Sequence, residues 1–219
     1  MDPGEPKVEE LDTTLSKSEE KDFFETKPEV VPTLCTVCDK IGSKICSGCH
    51  NIRYCSVECQ VKDRPLHKLL RKTFNDFKDR PSTNLVRAVF FPDNGDSPHF
   101  IWLEDEGYKT GFEFVKKDMG YALSRVKIFR AGSRLHRSLG YTITLTHASH
   151  SSMSSLAPNL IMKKMARHVN AMPDYWRGSF LAVGFGDNAT PNDECLPYDL
   201  DTTALGPIAA LLKAKDYPN

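Results

Sequence analysis

The chain has 219 residues, of which 40% are hydrophobic and 26% charged, and its formal net charge at pH 7 is zero. This length allows one substantial domain beside a small one, with enough apolar residues for a real core. The balanced charge gives no overall basic excess that would predict nucleic-acid binding, and no apolar stretch is long enough to predict a membrane partner.

The first region, residues 1–33, is strongly acidic. It holds ten Asp and Glu residues against four Lys, a net charge of −6. Apolar residues are scattered, with Phe23 and Phe24 as the main pair, so the segment cannot bury enough surface to offset the entropy lost on ordering. We predict a disordered acidic tail, without the apolar region of a secretory leader.

The next region, residues 34–72, contains six cysteines together with His67 as a seventh candidate ligand. The seventh cysteine, Cys195, stands alone far along the chain. This is unlike the even, dispersed cysteines of a secreted disulfide scaffold, so we expect a reducing compartment, the cytoplasm or the nucleus. The spacing is typical of zinc ligands, because a Cys-x2-Cys turn aims two sulfurs at one ion. The candidate ligands are Cys35, Cys38, Cys46, Cys49, Cys55, Cys59 and His67.

The spacing leaves two pairings of these ligands open. The cysteines form three close pairs along the chain; in a sequential arrangement the first two pairs share one ion, and the third pair joins His67. In a crossed arrangement the first and third pairs share one ion, and the second pair joins His67. Either way one shell of four is complete and the other is one ligand short. The eighth ligand would be expected four residues after His67, where the chain has Arg71, and a guanidinium offers only donors.

Two helices are predicted after the cysteine pairs. Ser56 is placed to cap a helix start, and Glu58 suits the positive end of the helix. Apolar residues at spacings of three, four and one predict a second helix over residues 66–77, and we assign residues 73–83 to a helical linker. The basic residues of this region indicate a solvated face or an anionic partner: Lys62, Arg64, Lys68, Arg71 and Lys72.

From residue 84 onward the pattern predicts alternating strands and helices. Residues 85–91 and 99–103 read as a hairpin, and residues 124–129 and 179–185 as further strands. Period-two alternation over residues 139–145 predicts a half-buried strand. Helices are predicted over residues 207–215 and 159–169, the latter with Leu160, Ile161, Met165 and Val169 facing inward. We predict an α+β domain over residues 84–219.

The cysteine motif resembles a known family. Cys46-Ser47-Gly48-Cys49, then Arg53-Tyr54-Cys55-Ser56, and then His67-Lys68 closely resemble the MYND zinc finger, with the resemblance covering about residues 35–72. It implies a small cross-braced finger with two zinc ions in the crossed arrangement, the first held by Cys35, Cys38, Cys55 and Cys59, and the second by Cys46, Cys49 and His67.

The chain departs from the family at two positions. The family closes its second site with a cysteine where this chain has Arg71, which leaves that shell one ligand short. The family usually has tryptophan where this chain has Arg64, which alters any peptide groove that uses the aromatic ring.

The resemblance also implies a function, because MYND fingers are protein-interaction modules that often receive short proline-containing peptides along an exposed strand. A zinc-stapled hairpin near Ile52-Arg53-Tyr54 would offer unpaired backbone groups to such a peptide, with Gln60 as a hydrogen-bonding neighbour. We predict an adaptor or regulatory protein with a protein or peptide partner and no catalytic activity.

Two other classes of function are weighed beside it. Similar fingers occur in SET-type methyltransferases and beside prolyl hydroxylases, so an enzyme could reside in residues 84–219, although no SET signature or iron triad is visible. We expect His136, His147 and His150 to be surface or packing residues and residues 184–187 to be a strand-end turn. Weak nucleic-acid binding through the basic helix ranks below peptide binding, because no base-reading aromatics accompany it.

Overall fold

The computed structural model describes residues 33–38, 40–106, 109–119, 123–128, 141–148, 154–168, 176–186 and 196–213. The predicted acidic tail, apart from Thr33, lies outside the described residues, as do Cys195, His136 and His150. The described residues all belong to one compact unit.

The cysteine-rich region folds around a two-stranded hairpin. β1 (Lys44–Ile45) pairs antiparallel with β2 (Arg53–Tyr54), and α1 (Val57–His67) follows at once. The Ser56 hydroxyl accepts a hydrogen bond from the Cys59 amide at 3.3 Å and so caps α1, with an acidic residue in the first turn. The predicted helix start is confirmed.

The predicted helix over residues 66–77 is wrong. α1 ends at His67, turns follow, and a single 3-10 helix, η1 (Phe74–Phe77), closes the segment. The Leu70 carbonyl accepts from both the amide and the hydroxyl of Thr73, each at 3.2 Å, so local bonds compete with an α-helix. The apolar residues still face inward, since Leu70 and Phe74 are both buried. Only η1 is helical in the predicted linker, residues 73–83.

The rest of the described chain is built on a six-stranded antiparallel sheet. Its main strand order is β4-β3-β7-β6-β5, and β8 pairs with the end of β7. The predicted hairpin is confirmed as β3 and β4, and the other predicted strands are present as β5, β6 and β7. Their bounds are Leu85–Phe91 for β3, His99–Glu104 for β4, Leu123–Ile128 for β5, Tyr141–Ala148 for β6, Phe180–Gly186 for β7 and Pro197–Tyr198 for β8.

In the described part of this region, three helices accompany the sheet: α2 (Phe112–Met119), α3 (Leu160–His168) and α4 (Leu205–Lys213). α3 and α4 confirm the predicted helices, whereas α2 and β8 were not predicted. Leu160 was expected to face inward and is 60% exposed, because it opens α3 and the inward face begins one residue later. None of the described helices is long and apolar enough to cross a membrane.

β6 is buried on both faces, which contradicts the half-buried strand that its alternation predicts. Ile143 and Leu145 belong to one core, whereas Thr144 and Thr146 are buried on the opposite face. In the register of the sheet, Thr146 lies opposite Leu181, which belongs to a second core together with Val115 of α2. The helix that was not predicted therefore accounts for the second buried face.

The finger and the sheet share one hydrophobic core. The same cluster of buried residues contains the finger's Cys46, Ile52 and Leu70 and the sheet's Val89 and Phe180, together with residues of α3 and α4. Burial of apolar surface is thus continuous from the metal ligands to the sheet.

Candidate metal centre

The first group of candidate ligands brings together four cysteines from two parts of the finger. Cys35 and Cys38 precede β1, whereas Cys55 and Cys59 follow β2, and the four sulfurs all lie within 4.8 Å of one another. The Cys38 sulfur lies 3.5 Å from that of Cys55 and 4.0 Å from that of Cys59. Sulfurs at the corners of a zinc tetrahedron would be about 3.8 Å apart, given Zn–S bonds of about 2.3 Å. The group therefore fits a zinc ion.

Backbone amides position the sulfurs of this group and shift their pKa values. The Val37 amide donates to the Cys35 sulfur at 3.5 Å. Burial opposes ionisation of Cys35, but the backbone amides outweigh it and lower the pKa of this thiol to about 7. Hydrogen bonds shared with the Cys38 and Cys59 thiols raise the pKa of Cys55 to about 12. Zinc requires all four thiolates, so loading this group releases protons.

The second group contains Cys46, Cys49 and His67, and all three are buried. The Nε2 atom of His67 lies 3.3 Å from the Cys46 sulfur and 3.5 Å from the Cys49 sulfur. A tetrahedral zinc would separate a sulfur from an imidazole nitrogen by about 3.5 Å. The donor atoms and their spacing therefore fit zinc as well, and the two groups have the crossed arrangement that the resemblance implied.

His67 presents a neutral imidazole to this second group. Burial, and to a lesser extent the charge of Arg71, lowers the pKa of His67 to about 4. The charge of Asp201 opposes this shift. The ring is therefore uncharged near neutral pH, which is the form that binds metal. Its other nitrogen, Nδ1, is buried and has no hydrogen-bond partner in the described structure.

Arg71 lies against the turn that carries the second pair of cysteines. A Cβ atom added to Gly48 would lie 3.3 Å from Nη1 of Arg71 and 3.7 Å from its Cζ. Within the described ranges, no fourth Cys, His, Asp or Glu joins Cys46, Cys49 and His67. Arg71 thus lies beside the site without being able to ligate zinc.

Two residues near this site escaped the sequence analysis. The Asn51 side chain donates to Oδ2 of Asp201 at 2.9 Å and so joins the finger to the turn before α4. Oδ1 of Asp201 accepts from the amide of Thr203 at 2.7 Å and from its hydroxyl at 2.6 Å. The Asp-x-Thr spacing in the sequence is typical of an Asx turn and so predicts the contacts between Asp201 and Thr203. It does not indicate the contact with Asn51, which is 150 residues away.

The predicted peptide edge at Ile52-Arg53-Tyr54 is wrong, because its backbone is already engaged. The Ile52 carbonyl accepts from Cys46 at 2.9 Å, and the Arg53 carbonyl accepts from Thr36 at 2.9 Å. In the described structure the finger's sheet contains two strands, so the outer edge of β1 has no strand beside it. Gln60 is exposed on α1.

The other candidates from the sequence are scattered or packed. His147 lies buried on β6 against the rings of Trp176 and Phe180, as expected for a packing residue. Gly184 and Gly186 lie within β7 rather than in a turn after it. Gly184 is paired with Ile143 of β6, and Gly186 is paired with Tyr141. The basic side chains of Lys62, Arg64, Lys68 and Lys72 are exposed.

Comparisons with known proteins agree with the geometry of the finger. A family model for the MYND finger matches residues 35–70. Ubiquitin carboxyl-terminal hydrolase 19 of Arabidopsis thaliana is 44% identical over 48 residues, which are 22% of this chain and 7% of that protein. No solved structure matches. Both matches lie in the region of the finger.

Proposed function

Because residues 35–70 are a MYND-type zinc finger, we propose that this chain is an adaptor or regulatory protein that recognises short peptides through the finger. The observation that carries the proposal is an exposed apolar surface beside an open strand edge. We place the protein in the cytoplasm or the nucleus, where its six clustered thiols would stay reduced.

The apolar surface consists of Ile45, Val57 and Val61, which are 45%, 51% and 60% exposed. Val57 and Val61 are four residues apart and therefore share one face of α1. The start of α1 lies near β1, since β1 pairs with β2 and α1 begins three residues after the end of β2. An extended peptide added to the outer edge of β1 would meet these apolar side chains.

Zinc would stabilise the finger that carries this surface. The four-cysteine group fits a closed tetrahedral site, whose role is structural because no position is left for a substrate. The second group has three ligands, and in our proposal its zinc is bound more weakly, because Arg71 stands where the family has a cysteine.

We propose binding rather than catalysis for the whole chain. An enzyme activity in residues 84–219 and nucleic-acid binding by the basic face of α1 are the alternatives. One observation weakens the nucleic-acid alternative: the basic residues do not share one helix, because α1 carries Lys62 and Arg64 but ends at His67, before Lys68, Arg71 and Lys72.

The test selects the tightest-binding proline-containing peptide from a displayed library. This peptide is then titrated against the full chain. We expect weak binding by the natural sequence and binding tighter by roughly tenfold in Arg64→Trp, because a buried aromatic anchor carries much of such an interface. Val61→Lys should reduce binding in both backgrounds, because it places a charge in the apolar surface.

Leu160→Lys provides the matched control. Leu160 is as exposed as Val61, at 60%, but it lies on α3, outside the finger. This substitution should leave peptide affinity unchanged. Equal and tight binding by the natural chain and Arg64→Trp, undisturbed by Val61→Lys, would contradict the proposed surface.

A further inference from the structure

Among the described residues, no fourth Cys, His, Asp or Glu side chain joins the second ligand group. Cys46, Cys49 and His67 supply three donors with spacings that suit tetrahedral zinc, and the fourth family ligand is replaced by Arg71. Zinc bound by three protein ligands completes its shell with a molecule from outside the chain.

Arg71 contacts the segments that carry the ligands through both its backbone and its side chain. Its backbone amide donates to the His67 carbonyl at 3.0 Å, and its guanidinium packs on Gly48. The Gly48 amide in turn donates to the Cys46 sulfur at 3.4 Å. The guanidinium therefore lies on the turn that carries two of the three ligands. The guanidinium has five N–H donors and no acceptor atom, so it can bind an anion but cannot ligate a metal.

The charges around the site favour an anionic ligand. Zinc, two thiolates and a neutral imidazole sum to zero, whereas the cysteine of the family would bring the site to −1. Arg71 replaces that negative charge with a positive one. Asp201 is the nearby acid, but its two oxygens already accept from Asn51 and Thr203, and it does not join the ligand group.

We infer that the second site binds zinc with an exchangeable fourth ligand from solution, a small anion held jointly by the metal and by the Arg71 guanidinium. This inference rests on the proposed zinc site. In it, the small anion takes the coordination position that a cysteine fills in the family. Because the three ligands are buried, the anion must be small. Ser47 and Gly48, in the turn between the two cysteines, are exposed to solvent.

Cobalt and azide test the inference on the full chain. Co²⁺ replaces zinc in tetrahedral sites, and its visible absorption reports a change of ligand. With two Co²⁺ loaded, azide should shift the spectrum in a saturable way, and only the second site should respond, because the four-cysteine site is closed. Arg71→Gln should weaken azide binding by roughly tenfold, since it removes a charge-assisted hydrogen bond.

Three variants serve as controls. Arg71→Cys should abolish the azide response, because the thiolate fills the position. Arg64→Gln removes an exposed arginine of α1 and should leave azide affinity unchanged. Asp201→Asn tests the nearby carboxylate and should keep the azide response.

Several results would overturn the inference. These are no azide response in the natural chain, a response that appears only in Asp201→Asn, equal azide affinity in Arg71→Gln, or retention of a single Co²⁺ per chain. Peptide binding in the same preparation separates these failures from failure of the proposed function, because the apolar surface of the finger lies outside the second ligand group.

Discussion

The two Cys-x2-Cys turns of the finger use the same backbone contact. The Val37 amide donates to the Cys35 sulfur and the Gly48 amide to the Cys46 sulfur, each two residues after the first cysteine of its pair. Such contacts are local, so the Cys-x2-Cys spacing predicts that the two sulfurs of a pair converge, whereas it leaves open which pairs share an ion. The contact of Asn51 with Asp201 joins residues far apart in sequence, and no local pattern indicates it.

At the residue scale we predict that Cys38→Ser removes the first zinc and unfolds residues 34–72. The Cys38 sulfur lies 3.5 Å from that of Cys55, and a finger of this size cannot bury enough apolar surface without a metal. Structural zinc contributes about 10–16 kcal/mol in isolated fingers. Metal analysis should show zinc lost from both ligand groups, because Cys46, Cys49 and His67 lie in the same unfolded segment. Hydrogen exchange should show lost amide protection across the finger.

Lys40→Ser is the control for this prediction, because Lys40 is exposed in the same turn and lies outside both ligand groups. It should retain the zinc content and the protection of the natural chain. If amide protection in the finger survives both Cys38→Ser and a strong chelator, the zinc assignment is wrong.

At the scale of elements, local signals succeeded where neighbouring residues decide the outcome. The Ser56 cap and the β3–β4 hairpin were predicted because capping and short-range pairing are local. The helix over residues 66–77 failed because the apolar stripe fits both a helix and a series of turns. The choice between them was made by packing against β4, where Phe77 stacks on Trp102 at a ring distance of 5.8 Å.

Arg87 is the residue of β3 that ties η1 to the sheet. Its guanidinium donates from Nε to the Leu200 carbonyl at 2.6 Å and from Nη1 to the Phe77 carbonyl. It also lies 5.0 Å from the ring centroid of Phe74 and 5.7 Å from that of Phe100. An arginine within an apolar strand gives no sequence signal of these partners, all of which come from other elements.

We predict that Arg87→Ala destabilises the chain by about 3 kcal/mol, since buried carbonyls lose their donors and the aromatic rings lose their packing. Arg80→Ala is the matched control: its ion pair with Asp199, at 2.9 Å, is partly exposed, with side-chain exposures of 36% and 25%, and should be worth less than about 1 kcal/mol. Urea unfolding of both variants measures the difference, and equal losses would contradict the role assigned to Arg87.

At the scale of the whole molecule, the finger and the sheet are parts of one packed structure. Cys46, Cys49 and Phe74 belong to the same buried cluster as Leu205 and Ile208 of α4. The sequence of neither region indicates this, because an apolar pattern predicts which residues are buried but not which element covers them. The shared cluster and the contact between Asn51 and Asp201 couple the stability of the two regions.

This coupling predicts that zinc stabilises the sheet as well as the finger. The chain has two tryptophans, Trp102 in β4 and Trp176 just before β7, so tryptophan fluorescence reports on the sheet region and not on the finger itself. Removing zinc exposes apolar residues of the shared core, so the urea midpoint of the fluorescence transition should fall when a strong chelator is added. Asn51→Ala cuts the direct link to Asp201 and should reduce the chelator-induced shift, whereas Lys40→Ser should leave it unchanged. A fluorescence midpoint that is identical with and without zinc would mean that the finger and the sheet unfold independently despite their common core.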